Sequence, residues 1–155
     1  MKILGLRCSN SDYTYVILEG ERKAATILVA ETVKYPKNQK RPDILVWFLL
    51  EIEKIINSHK PDGILIKRAE LRPGVTDADI ERIETEGIAI LAARRKAISY
   101  VVAKRKRTIA KDIGYKGTSE DFEKAFRDNA VDLSCIKNDS EKIKDAILVA
   151  RSGMR

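Results

Sequence analysis

A mixed five-stranded sheet, with three antiparallel strands followed by parallel ones and helices flanking it, is the α/β fold this sequence predicts. Two observations carry that expectation. Three strand-like runs follow one another between Lys2 and Ala30 with short polar connections, the pattern of an antiparallel meander. From Ile64 onward, short apolar runs alternate with long helical patterns, and strands joined by helical crossovers lie parallel.

Taken in order, Ile3-Leu4-Gly5-Leu6 and Tyr13 to Leu18 flank the turn formers Ser9-Asn10-Ser11-Asp12, which reads as a β-hairpin. Gly20 to Lys23 turns the chain into a third strand, Ala24 to Ala30. A loop from Lys34 to Pro42 ends at Asp43, the expected N-cap of a helix over Ile44 to Ser58. Lys60-Pro61-Asp62-Gly63 breaks that helix before a short buried strand, Ile64-Leu65-Ile66. Arg72-Pro73-Gly74 is a turn. Thr76 then caps a second long helix with Asp77 and Asp79 in its first turn. Ile80, Ile83, Gly87, Ile90 and Leu91 recur at helical spacing and are its expected buried stripe. Ile98 to Ala103 reads as a fifth strand, followed by helices near Thr108 to Ile113, Ser119 to Asn129 and Ser140 to Arg151.

The chain's 155 residues predict a single domain, 1–155, with an aliphatic core, because 44% are hydrophobic and only 6% aromatic. Thirty Lys and Arg against 23 Asp and Glu give a net charge of +7, a balance that favours polyanions, nucleic acid first. Cys8 and Cys135 stand far apart with a single histidine, His59. Zinc and a required disulfide are therefore not indicated, and both cysteines are expected to pack as small apolar side chains. His59 closes a helix, where a cation complements the dipole. No GxSxG, phosphate-binding glycine loop or HExxH occurs. The first residues form a strand without a signal-peptide core, so the expectation is a cytoplasmic protein. The longest apolar run, Ile44 to Leu50, is too short to cross a bilayer.

The element order resembles the ribonuclease H-like fold and, within it, the RuvC-type resolvases. Ile3-Leu4-Gly5-Leu6 resembles that family's opening strand, and Lys60 to Ile66 its loop into the fourth strand. Asp145-Ala146-Ile147-Leu148-Val149-Ala150 resembles its final helix, and Lys106 to Phe126 falls where the family has a basic helix, a glycine turn and another helix. Ile66-Lys67-Arg68 and Glu86 to Leu91 have parallels in a degenerate, uncharacterised group of small proteins of this fold.

The resemblance implies clustered carboxylates holding two Mg²⁺ ions about 4 Å apart, which activate water and stabilise the leaving oxygen. Carried over position by position, the first-strand acid falls on Arg7, the fourth-strand acid on Lys67, and the acid one turn before Asp145 on Lys142. Only Asp145 keeps a carboxylate. Like-charge contacts at 4 Å cost about 4 kcal/mol even at an effective dielectric near ~20. The expectation is thus no catalytic residue, no metal and no cofactor. What remains is a cationic notch of Arg7, Lys67, Arg68 and Lys142, which either pairs internally (Asp145 with Lys142 or Lys67) or holds a phosphate.

The functional expectation is a non-catalytic, nuclease-like domain that binds nucleic acid through phosphate-backbone contacts. Arg94, Arg95, Lys104, Arg105, Lys106, Arg107 and Lys111 form the densest basic region, with no acid from Arg94 through Ala110. Two alternatives stand beside it. One is a divergent Mg²⁺-dependent nuclease using Asp145 with displaced acids drawn from Asp12, Glu31 and Glu70; the other is a protein-interaction module. Finally, Ile44 to Leu50 places apolar residues around the whole circumference of the first long helix. Either the second long helix covers the surplus, or a homodimer does, anchored by Trp47 and Phe48.

Overall fold

The computed structural model describes residues 1–70, 72–128 and 140–155. Its five strands are β1 (Lys2–Cys8), β2 (Asp12–Glu19), β3 (Thr26–Lys34), β4 (Gly63–Lys67) and β5 (Tyr100–Lys104). They form one sheet in the order β3-β2-β1-β4-β5. The first three strands pair antiparallel, and β4 joins β1, and β5 joins β4, in parallel. The mixed sheet is therefore the one that the element order predicts.

Helices α1 (Arg41–His59) and α2 (Asp77–Arg95) cover one face. There Phe48, Ile52, Ala89 and Ala92 meet Leu4, Leu6, Tyr13, Ile17, Ile64 and Ile66 from the strands. The other face carries α3 (Lys106–Asp112), α4 (Ser119–Asp128) and α5 (Glu141–Arg151). Against it pack Ile3, Val16, Leu18 and Leu65, with Ala146, Ile147 and Ala150 above them. Both faces are apolar because successive side chains of a strand alternate sides, and here both sides are covered. Gly5 of β1 lies under α5, where an added Cβ would stand 2.2 Å from the Ala146 carbonyl oxygen. No larger residue leaves room for the helix.

Four expectations about local structure need correction. The third strand runs Thr26–Lys34, several residues later than read. Asp43 is not the α1 cap: the helix starts at Arg41, with Lys40 in the cap position and Pro42 in the first turn, where a missing N–H costs nothing. Most of the predicted stripe of α2 faces outward, with Ile80, Ile83 and Leu91 between 42% and 48% exposed, while Ile90 packs against the core. Thr85, Glu86, Ala89, Ala92 and Ala93 are buried in its place. Small residues let α2 settle against the sheet and α1, and Arg41 ties the helices together by donating to Glu84, Thr85 and the Glu81 carbonyl. Lastly, Phe48 is fully buried in its own chain, and Trp47 packs beside Tyr13 and Tyr35, so Phe48 offers no anchor to a second copy. Thr76 caps α2 as expected, in a reciprocal box with Asp79. Cys8 is buried, and Cys135 lies outside the described residues. Among the described residues no helix is long and apolar enough to cross a membrane.

Candidate functional site

Parallel pairing places Arg7, Lys67 and Lys104 side by side across β1, β4 and β5. Each is the last or next-to-last residue of its strand, and strand alternation turns all three toward the α5 face. On the far side the row continues into Thr14 and Thr32, whose hydroxyls lie 2.7 Å apart. Three cations roughly 4.8 Å apart on one sheet face would repel strongly. Each has a carboxylate from elsewhere. Asp145 of α5 stands 3.5 Å from the Arg7 Nε, and Glu70 lies 2.7 Å from the Lys67 Nζ. Asp112 lies 2.8 Å from the Lys104 Nζ.

Above Arg7 and Lys67 opens a cleft of about 440 Å³ at the carboxyl ends of β1 and β4, where open α/β sheets commonly hold ligands. Arg7, Lys67, Arg72, Arg82 and Lys106 line it together with Glu70, Asp79 and Asp145, so cations outnumber carboxylates. The Lys67 side chain is only 2% exposed and donates to the Arg68 carbonyl and to Glu70. Burial draws its pKa down, and the Glu70 contact offsets part of that. Glu70 also accepts from the Lys106 backbone N–H at 2.8 Å, which fastens the start of α3 to the cleft. Burial opposes ionisation of Glu70, but these two donors overcome it and hold the carboxyl below its ordinary range. Arg82 is clamped from beneath. It donates to the buried Glu86 and to the Lys67 carbonyl, while Glu86 also accepts from the Ala69 N–H.

Arg7 differs from these. Its Nε and Nη1 are buried and have no hydrogen-bond acceptor among the described residues, although Asp145 supplies a nearby countercharge. Burial pushes the Asp145 carboxyl up, and Lys67, Lys106 and Arg7 recover only part of the cost.

The expected notch is thus partly assembled. Arg7, Lys67 and Asp145 meet, but Asp145 pairs with Arg7 and not with Lys142 or in direct contact with Lys67. Lys142 reaches across to Asp12, which Ser9 also holds, and it does not line the cleft. Arg68 is exposed and lines a separate hollow beside α2 with Arg105. Lys142 shares a face of α5 with Asp145 but is drawn to Asp12 at the β2 end of the hairpin turn, and one residue of chain turns Arg68 away from the side of the sheet that Lys67 faces.

The basic region also divides. Arg94 and Arg95 end α2, at the entry to β5, whereas Lys104 ends β5 and Arg105 to Arg107 follow it, about 17 Å of strand away. Several of these residues have distant partners that no local sequence reveals. Arg95 and Lys96 pair with Glu53, Lys104 with Asp112 and the Ser152 carbonyl, and Lys106 lies near Glu123 and over the Phe122 ring. Lys104 is consequently structural and not a free surface cation. Lys106 and Arg107 line a second depression with Arg72 and Lys116, contiguous with the cleft through Glu70, Arg72 and Lys106. Lys111 is exposed.

Of the proposed displaced acids, only Glu70 joins Asp145 in the cleft; Asp12 is taken by Lys142, and Glu31 accepts from the Tyr15 hydroxyl. Among the described residues no three Asp, Glu, His or Cys side chains are grouped to hold a metal ion. The sequence reading missed Arg72 and Arg82. The i,i+4 spacing of Arg82 and Glu86 was the available signal, and it marks an ion pair without revealing which cavity the pair borders.

No family model matches the sequence, and no curated protein does. Solved structures do match in shape. RuvC of T. thermophilus in complex with a Holliday junction substrate superposes with a TM-score of 0.78 at 13% identity, covering 98% of this chain and 92% of that one. The yeast mitochondrial Holliday junction resolvase Ydc2 gives a TM-score of 0.67 at 13% identity, covering 97% of this chain and 76% of that one. The fowlpox virus Holliday junction resolvase gives 0.54 at 14% identity, over 99% and 94%. The fold is ribonuclease H-like and similar to that of the RuvC-type resolvases.

Proposed function

We propose that residues 1–155 form one domain that binds nucleic acid through its phosphate backbone, using a resolvase-type fold whose metal site has become a cationic cleft. The observation that carries this reading is the pairing of Arg7 with Lys67 at adjacent strand ends, facing one cleft. A two-magnesium site does not fit this donor set. Asp145 is held against Arg7 and Glu70 against Lys67, while Asp79 closes the α2 capping box. A divalent pair would have to displace those cations or sit beside them, against repulsion of about 8 kcal/mol per contact at about 4 Å and an effective dielectric of about 20. A phosphate meets complementary charge in the same place, and a guanidinium is well suited to it.

In this reading Arg7 and Lys67 supply fixed positive potential at the floor, and Arg72, Lys106, Arg107 and Lys116 meet successive phosphates along the rim. The similarity to T. thermophilus RuvC supports nucleic acid as the polyanion, since that protein was solved in complex with a Holliday junction substrate. Backbone contact is favoured over stacking on unpaired bases, because among the described residues no aromatic side chain lines the rim.

The test is fluorescence anisotropy with duplex, branched and single-stranded DNA and RNA across a salt series. Each rim cation that meets a duplex DNA phosphate contributes about 0.9 to the slope of log affinity against log salt. Arg72→Ala and Arg107→Ala should each lower that slope by about one unit while leaving the fold intact. Absent or salt-insensitive binding would reject the nucleic-acid reading. Cleavage that requires Mg²⁺ or Mn²⁺ and is lost in Asp145→Ala would establish the nuclease alternative.

A further inference from the structure

The floor of the cleft holds donors that the fold leaves uncommitted. The Arg7 guanidinium borders the cleft, yet its Nε and Nη1 meet no hydrogen-bond acceptor among the described residues, and Asp145 serves it as a countercharge 3.5 Å away. Lys67 beside it is drawn instead to Glu70 and the Arg68 carbonyl. A charged donor that has lost its water without gaining an acceptor has not recovered its desolvation cost. An oxyanion brought to it supplies the missing bonds.

Shape limits which phosphate can reach that far. The Lys67 side chain is only 2% exposed, so the floor lies well below the surface. A space of about 440 Å³ takes a single nucleotide and excludes a duplex, whose major groove alone is about 12 Å wide. Among the described residues, one cation-lined path leads away from it. That path is the depression of Arg107 and Lys116, joined to the cleft through Glu70, Arg72 and Lys106. An internal phosphodiester needs two paths, one for each arm of its strand, whereas a strand end needs one.

Charge makes the same selection. Five cations line the cleft against three carboxylates, and each carboxylate is already held: Asp145 by Arg7, Glu70 by Lys67 and the Lys106 N–H, Asp79 by the α2 cap. Glu86 balances Arg82 from the opposite side, while Arg107 and Lys116 face Glu120 and Glu123 across the adjoining depression. An internal phosphodiester brings one negative charge to this net positive site. A terminal monoester brings close to two at neutral pH and gains more from the same field.

We propose that the cleft floor is a subsite for a terminal phosphate monoester, the end of a DNA or RNA strand whose following nucleotides leave along the Arg107 and Lys116 depression. This subsite rests on the nucleic-acid reading above and deepens it. The rim gives salt-dependent affinity for any strand, and Arg7 with Lys67 selects the end.

Fluorescence anisotropy on the full chain tests this with single strands of one sequence, DNA and RNA, ending in a 5′ phosphate, a 3′ phosphate, a methyl-esterified phosphate or hydroxyls alone. At least one phosphate end should bind about tenfold more tightly than the hydroxyl strand, and its methyl ester should fall back toward the hydroxyl value. Arg7→Gln should abolish that ratio whatever its total affinity, and Arg72→Ala, exposed at the cleft mouth, should diminish it; circular dichroism verifies folding. Equal affinities for phosphate and hydroxyl ends, with a steep salt slope, overturn the subsite and leave the backbone reading standing. Absence of binding to every strand overturns both. A methyl ester that binds as tightly as the free phosphate, or a ratio undiminished in folded Arg7→Gln or Arg72→Ala, also overturns the proposal. The wild-type ratios decide the matter even where a variant does not fold.

Discussion

Replacing Gly5 by alanine adds one methyl group and should cost more than most core truncations. The new Cβ would lie 2.2 Å from the Ala146 carbonyl oxygen, 2.7 Å from the Ala150 Cβ and 3.0 Å from the Val16 Cγ2. Relaxed C···O contacts settle near ~3.3 Å, so α5 would have to retreat by about 1 Å along much of its length. Both clashing partners on α5 are backbone or Cβ atoms, and no side-chain rotation relieves them. The cost falls at or above the upper end of ordinary overpacking, about 3 kcal/mol. Alanine is otherwise favoured over glycine within a strand by roughly 0.5–1 kcal/mol, so the sign of the effect is itself diagnostic. For a chain of this size, with a urea slope near ~2 kcal/mol per molar, the unfolding midpoint should drop by about 1.5 M. The same retreat would carry Asp145 away from Arg7, whose separation is now 3.5 Å. An alanine variant that unfolds at the wild-type midpoint or above it refutes the close β1–α5 contact and the placement of Asp145 that depends on it.

Three further outcomes follow from burial and charge. Phe48→Ala should cost about 3–5 kcal/mol in urea unfolding, whereas Val46→Ala, on the exposed side of α1, should stay within ~0.5 kcal/mol; equal effects would show that α1 is rotated. Glu70 is held below its ordinary value of 4.5 in the folded chain, by the Lys106 N–H and Lys67 against the opposing effect of burial. Its stabilisation is therefore complete above the unfolded value and lost as pH falls through the folded one. Glu70→Gln should flatten the acid side of a stability–pH curve built from urea midpoints, and an unchanged slope would argue against these contacts. In a Cys135→Ser background, Cys8 should react with a thiol reagent only as the chain unfolds, because burial pushes its thiol well above the ordinary range; fast labelling of the native chain would contradict its position under α1 and α2.

Local chemistry made the sheet, the α2 cap and most helix ends legible. Alternation in Leu4, Leu6 and Cys8 against Ile3 and Arg7 assigns each β1 residue to a face once a hairpin is recognised. Thr76 and Asp79 announce a helix start because the capping box spans only three residues. The α2 stripe misled for a definite reason. Apolar periodicity identifies a coherent face, but it does not say whether that face meets this chain's core or another surface. The buried face here is made of Ala89, Ala92, Ala93, Thr85 and Glu86, and Glu86 tolerates burial because Arg82 and the Ala69 N–H satisfy it.

That Arg7, Lys67 and Lys142 stand where the resemblance implies acids is a reading of the sequence alone, because it depends only on element order and residue type. So are the basic excess and the retention of Asp145. Tertiary structure decided which of these charges meet. Arg7 reaches Asp145 across the β1–α5 contact, Lys142 goes to Asp12, and the basic stretch splits between the two ends of β5. Coulomb energy depends on distance in space and on burial, and residues adjacent in sequence can point to opposite faces of a sheet while residues far apart in it become neighbours.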